Sequence, residues 1–203
     1  MPIDQVAGVI LAGGQATRMG GGDKCLLSPG GNETLLERIV SRIGPQVACL
    51  ALNANGDPAR FAASGLPVLA DTVTDAGPLA GVLAAMRWAQ AQGCEAVVTV
   101  AGDTPFFPDD LVARLVAERE GQPLALAATD RPHPVFALWD VSLAPALAQA
   151  LNGGTRRVAA FAEAHGAATV RFPQTGRLDP FFNINTPDDL AQVQQLYRQG
   201  QVP

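Results

Sequence analysis

The residues best placed to do chemistry lie near the start of the chain. The segment Leu11-Ala12-Gly13-Gly14-Gln15-Ala16-Thr17-Arg18-Met19-Gly20-Gly21-Gly22-Asp23-Lys24 combines glycines with two cations. Glycines let the backbone approach a ligand closely and present several N–H groups to an anion. Arg18 and Lys24 add positive charge suited to a polyphosphate. Lys24 precedes Cys25 rather than Ser or Thr, so this is not a Walker loop, and the spacing G-x-G-x-x-G of dinucleotide binders is absent. The alternative is a plain glycine-rich surface loop, which the paired cations disfavour.

Three further polar residues, Asn53, Asp71 and Asp103, each fall at or just past the end of an apolar run. In open parallel sheets ligands bind outside the carboxyl ends of the strands, so convergence of these residues with the loop carries more weight than any one of them. Each could instead close an Asx turn or cap a helix.

The elements that must position them alternate strand-like runs with helical periodicity, the pattern of βαβ units. Strands are expected at Val6 to Ala12, Val47 to Asn53, Pro67 to Asp71 and Ala96 to Asp103. Helices are expected at Thr34 to Ile43, Asp57 to Ser64 (short), Pro78 to Gln92 and Asp109 to Glu118, the last with two carboxylates in its first turn. Beyond Gly121 the rhythm loosens. Strands are read at Pro123 to Ala128, Pro134 to Trp139 and Thr169 to Phe172, with a turn around Asp130 to Pro132. Helices are read at Ala144 to Leu151 and Val158 to His165, and one starts at Thr186-Pro187-Asp188-Asp189. The expected fold is a doubly wound α/β domain, Rossmann-like, with a mostly parallel sheet and helices on both faces. It is read as one domain over 1–203, residues 1–120 binding nucleotide and 121–203 forming the acceptor side.

Composition excludes several classes. The net charge of −5 argues against a broad nucleic-acid surface. No apolar stretch approaches the roughly 20 residues of a membrane helix. Met1 to Gln5 lack the basic and apolar regions of a signal peptide. Cys25, Cys49 and Cys94 form no Cys-x-x-Cys pair and have only His133 and His165 beside them in the inventory, so no zinc ligand set is recognisable. The expectation is a cytoplasmic protein with reduced thiols, no nucleic-acid partner and no membrane partner.

Leu-Ala-Gly-Gly followed by Arg-Met-Gly-Gly and Asp-Lys resembles the signature loop of molybdenum cofactor guanylyltransferases. The resemblance continues in order through Asn53-Ala54-Asn55, Gly77-Pro78-Leu79-Ala80-Gly81, Gly102-Asp103-Thr104-Pro105, His133-Pro134 and Asn183-Ile184-Asn185-Thr186-Pro187. The first loop alone would indicate only the wider nucleotidyltransferase superfamily. The resemblance implies nucleotide contacts at Leu11, Ala12, Gly13, Gly14, Lys24, Asn53, Asp71 and Asp103. It implies Asp103 as the Mg²⁺ ligand, with Lys24 and Arg18 neutralising phosphate charge. Asp71 could accept from guanine N–H groups or from a ribose hydroxyl. Arg156, Arg157, Asn183 and Asn185 are the implied acceptor contacts, although the arginine pair could equally be surface ion pairs.

The implied reaction is attack by a terminal phosphate of molybdopterin on the α-phosphorus of GTP, with release of pyrophosphate. A phosphate nucleophile is already ionised near neutral pH, which agrees with the shortage of histidines. Further implied partners are other cofactor-biosynthesis proteins and apo-molybdoenzymes. Three alternatives remain open. Cytidylyl transferases to the same cofactor carry Leu-Ala-Ala-Gly where this chain has Leu11-Ala12-Gly13-Gly14. Sugar-phosphate nucleotidyltransferases lack the Asn-x-Asn-Thr-Pro motif. A non-catalytic nucleotide-binding carrier would not require both Lys24 and Asp103.

Overall fold

Strand β1 (Val6–Leu11) is apolar at both parities because both its faces are covered. Val6 and Ile10 enter one hydrophobic cluster, while Ala7 and Val9 enter another on the opposite face of the sheet. In this computed structural model the described residues are 1–13, 23–30, 32–74, 76–174 and 176–199. Beside β1 lie β2 (Cys49–Asn53) and β3 (Val68–Leu69) on one side and β4 (Ala96–Ala101) on the other. β5 (Leu124–Ala128), β6 (Pro132–Asp140) and β7 (Ala168–Arg171) complete a sheet of order β3-β2-β1-β4-β6-β5-β7. β6 runs antiparallel to both β4 and β5, and every other pairing is parallel.

Helices α1 (Leu35–Ile43) and α3 (Leu111–Glu118) cover one face of the sheet. Helices α2 (Pro78–Ala91), α4 (Ala144–Asn152) and α5 (Val158–His165) cover the other, which makes the doubly wound architecture. α6 (Pro187–Arg198) seals a smaller cluster of Leu35, Phe106, Ile184 and Val193. Thr34 and Thr186 each form a capping box, with Glu37 and Asp189 respectively, so local chemistry marks where α1 and α6 begin. Among the described residues no helix is long and apolar enough to cross a membrane.

Two expectations shift. The expected turn at Asp130 to Pro132 moves one residue back, closed by the Thr129 N–H reaching the Arg131 carbonyl at 3.0 Å, and β6 starts at Pro132. Asp109 and Asp110 do not occupy the first turn of α3, which starts at Leu111. Asp109 instead pairs with Arg42 of α1 at 3.2 Å, and the Gln46 side-chain oxygen accepts from the Val112 N–H at 3.0 Å. A distant amide thus satisfies the helix end that a local carboxylate was expected to serve.

The antiparallel β4–β6 junction is pinned by a buried polar chain. Trp139 Nε1 donates to Thr99 Oγ1 at 3.0 Å, and that hydroxyl donates to the Val135 carbonyl at 2.6 Å. Thr99 and Trp139 are both fully buried. Thr99→Val keeps the volume but orphans both partners, so it should lower stability by about 1–3 kcal/mol. A denaturant midpoint shift with an unchanged slope measures this; no shift would show that the chain carries no net stability.

Candidate active site

Strand order reverses between β1 and β4, where the chain must leave the sheet in opposite directions and a crevice opens. A cavity of about 430 Å³ occupies it. The end of β1 contributes Leu11, Ala12 and Gly13, the end of β2 Asn53 and Asn55, and the end of β3 Asp71. Gly102 and Asp103 follow β4, while Lys24 and Asn183 enter from loops. Seven predicted residues therefore share one cleft with Asn183: Leu11, Ala12, Gly13, Lys24, Asn53, Asp71 and Asp103. Gly14 and Arg18 lie outside the described residues.

One wall is a hydrogen-bonded trio. Asn53 Nδ2 donates to Asp71 Oδ1 at 2.9 Å and to the Leu69 carbonyl at 3.0 Å. Asn55 Nδ2 donates to Asp71 Oδ2 at 2.8 Å, while Asn55 Oδ1 accepts from the Asp71 N–H at 2.9 Å. Both carboxylate oxygens are thus aimed by amides, which fixes the acceptor presented to a ligand. Gly81 of α2 makes room for this: a Cβ there would overlap Asn53 Oδ1. Asn55 and Gly81 stood in the motifs read from the sequence without a role. Their function shows only when α2 and β2 are packed together. At Gly13 an added Cβ would meet no atom of the described residues within 4 Å.

The opposite wall is charged. Lys24 Nζ lies 3.8 Å from Asp103 Oδ2 and donates to Asn185 Oδ1 at 2.6 Å. Asn183 Nδ2 donates to Asp103 Oδ1 at 3.0 Å, and Thr104 Oγ1 donates to the same oxygen at 3.1 Å. Between the two asparagines, the Ile184 N–H donates to the Asp103 carbonyl at 2.9 Å, and the Ile184 side chain is fully buried. The alternation puts Ile184 in the core, Asn183 on the cleft lining and Asn185 against the Lys24 ammonium, although Asn185 does not itself line the cavity. Burial, reinforced by Asp23, pushes the Cys25 thiol up to about 12, so the thiol next to Lys24 is core packing and not a nucleophile.

The helix α2 begins at Gly77-Pro78, both lining the cleft, so its N-terminal end adds a positive dipole there. The Arg156 carbonyl sits 3.6 Å from where a Gly77 Cβ would stand. The Arg156 guanidinium donates to the Leu151 and Thr155 carbonyls at 2.9 and 3.0 Å. Arg157 occupies the N-cap position of α5. Neither arginine is among the residues lining the cavity.

His133 belongs to the support beneath the charged wall. Its ring stacks on Phe181 at 4.5 Å, and Phe181 packs in turn against Phe136 and Phe172. Thr129 Oγ1 donates to Asp179 Oδ2 at 3.2 Å and lies within hydrogen-bond distance, 2.8 Å, of His133 Nε2. Asp179 Oδ1 accepts from the Phe181 N–H at 2.8 Å. The segment carrying Asn183 and Asn185 is anchored through this cluster.

A parallel-rich sheet with a polar crevice at its reversal point and a Lys–Asp pair within it is the arrangement of nucleotidyltransferases of the α/β class. The chain matches the family model of the MobA-like NTP transferase domain over residues 8–170, and it belongs to that family. It is 55% identical over 199 residues to a molybdenum cofactor guanylyltransferase of Mesorhizobium japonicum, covering 94% of this chain and 95% of the relative. The fold also resembles the molybdopterin-guanine dinucleotide biosynthesis protein A of Archaeoglobus fulgidus, with TM-score 0.74, 24% identity, and coverage of 95% of this chain and 99% of that one. A Mycobacterium tuberculosis protein crystallised in complex with manganese shares the fold at TM-score 0.66 and 18% identity, covering 94% of this chain and 98% of that one.

Burial holds the His133 imidazole below its usual value of 6.5, with the Asp179 carboxylate pulling the other way. The folded state therefore favours neutral His133. As pH falls below 6.5 the unfolded chain takes up this proton first, so stability is full above that value and declines below it. The wild type should lose more melting temperature between about pH 7.5 and about pH 5.5 than a His133→Gln variant does. Equal losses would contradict this role.

Proposed function

We propose that this protein transfers GMP from GTP to the terminal phosphate of molybdopterin, forming the guanine dinucleotide and releasing pyrophosphate. The observation that carries this reading is the facing of two walls across one cleft. The Asn53–Asn55–Asp71 trio offers oriented acceptors to a nucleoside, and the Lys24–Asp103 pair faces phosphate. The identity to molybdenum cofactor guanylyltransferases supports the choice of acceptor.

Asp103 is the carboxylate for a Mg²⁺ ion. Among the described residues no cluster of three His, Cys, Asp or Glu side chains forms a complete cage. Mg²⁺ is commonly held by one or two carboxylates together with substrate phosphates, so this donor set fits. Bound there, the ion supplies charge neutralisation at the α-phosphate. Lys24 shares that task on the protein side, and Asn185 and Asn183 hold the lysine and the carboxylate in register. Arg18 adds a second cation from the glycine loop. An ionised oxygen of the acceptor phosphate attacks the α-phosphorus; the bond to the bridging oxygen breaks and pyrophosphate leaves with the electron pair. Positioning and charge neutralisation carry the rate, with no general base. The acceptor is assigned to the side of Asn183 and Asn185; Arg156 and Arg157, outside the cavity lining, would reach it only from beyond the cleft. A cytoplasmic location suits an enzyme fed by GTP, and its partners are other cofactor-biosynthesis proteins and apo-molybdoenzymes.

Melting-temperature measurements with each of the four NTPs and Mg²⁺ test the base assignment. A ligand at a hundred times its dissociation constant stabilises by about 2.7 kcal/mol, enough to rank them. GTP should stand clear of the others; equal shifts from GTP and CTP would remove guanine selectivity. Asp103→Ala should lower kcat by at least about a hundredfold with GTP affinity largely kept. Near-native turnover in that variant would remove Asp103 from the metal site.

A further inference from the structure

Arg60 has no part in the motifs, does not line the cavity, and yet spends its whole guanidinium on two segments that do. Its Nε lies 2.6 Å from Asp23 Oδ2, and Asp23 immediately precedes Lys24. Its Nη2 donates to the Asn55 carbonyl at 2.5 Å, and its Nη1 donates to the Asp57 carbonyl at 2.9 Å. The plane rests on Phe61, 4.6 Å from the ring centroid, and Phe61 is buried. The turn after Asn55 is built around this group. Gly56 has φ 86°, and a Cβ there would stand 2.9 Å from Arg60 Nη1. A side chain at Gly56 would therefore both strain the backbone and crowd the guanidinium.

The Asp23 carboxylate is also shielded, with 18% of its side chain exposed against 31% for Arg60. A partly shielded, charge-assisted contact shared with two carbonyls is a geometry that only a planar fork can satisfy. The contacts at its two ends then matter. Asn55 aims Asp71 on the nucleoside wall. Asp23 opens the turn Lys24–Leu26, from which Lys24 reaches Asp103.

We propose that Arg60 is a positioning residue for nucleotidyl transfer, coupling the nucleoside-reading Asn55–Asp71 pair to the phosphate-facing Asp23–Lys24 segment. The inference rests on reading this cleft as the GTP site. Through Arg60, a nucleoside seated on one wall sets where the lysine of the other wall meets its phosphates. The fork shares one rigid plane between the two walls, so a shift of either is felt by the other.

The test compares wild type with Arg60→Ala, Arg60→Lys and Asp23→Asn in two measurements. In the free protein, exchange of the Asp71 amide reports the nucleoside wall, because that N–H bonds Asn55 Oδ1. In turnover, kcat and KM are measured for GTP and for CTP with Mg²⁺ and molybdopterin. Arg60→Ala should speed Asp71 exchange, raise KM for GTP about tenfold and narrow the preference for GTP over CTP, the size expected from one charge-assisted contact. It should also lower kcat, since Lys24 is no longer tethered through Asp23. Asp23→Asn should lower kcat and speed Asp71 exchange by less than Arg60→Ala does, because Arg60 keeps its bond to the Asn55 carbonyl. Arg60→Lys keeps a cation for Asp23 but has no fork, so it should recover kcat and not base preference.

Combining Arg60→Ala with Asp23→Asn should cost kcat no more than Arg60→Ala alone. Unchanged Asp71 exchange in Arg60→Ala overturns the coupling, as does a loss of activity explained wholly by a lowered melting temperature. Recovery of both properties by Arg60→Lys overturns the role of the fork. Should wild type fail to transfer GMP, the functional reading fails while Asp71 exchange still decides whether Arg60 holds the nucleoside wall.

Discussion

The pairing of Lys24 with Asp103 is the contact around which the remainder of the molecule is organised. A lysine on a loop and a carboxylate at a strand end, 3.8 Å apart, would each prefer water unless other groups held them in place. Here they are held by two amides from a single short segment. Asn185 takes the ammonium and Asn183 the carboxylate, while the peptide between them bonds the backbone of Asp103 itself. That segment is fixed in turn by Ile184 in the core, by the Thr186 capping box at the start of α6, and by the Phe181–His133 stack beneath it. Charge placement at the site is thus an outcome of apolar packing at a distance.

The same logic divides what the sequence discloses from what it does not. β1 and β4 were legible because strands covered on both faces are buried at every or nearly every position, and Val6–Leu11 and Ala96–Ala101, interrupted only by Thr99, are largely apolar along their length. α2 was legible as well, since Gly77 and Pro78 open it and its buried positions run along most of its length. Asn53, Asp71 and Asp103 could be placed because strand ends in such a sheet are where ligands bind, so location follows once strands are recognised.

Other features leave no periodic trace. The insertion of β6 between β4 and β5 depends on the β4–β6 register, pinned by Thr99 and Trp139, which are 40 residues apart. Asp109 looked like a local helix-opening carboxylate and turned out to serve Arg42, because a cation on a neighbouring helix competes for it. Gly81 has a helical backbone that any residue could adopt, and its need for hydrogen in place of a side chain comes from Asn53 across the gap. Local pattern predicts which face a residue takes; it says nothing about the partner that waits there.

The bond between Lys24 and Asn185 spans 161 residues. During synthesis at roughly 5–20 residues per second, the glycine loop and its lysine emerge on the order of ten seconds or more before the amide that seats the ammonium. For that interval a growing chain carries Lys24 without the amide that seats its ammonium. The Asn183–Asn185 segment therefore acts as a chronological lock: Lys24 and Asp103 remain separate parts until that segment has been made, and a chain broken off before it lacks both amides that set the pair.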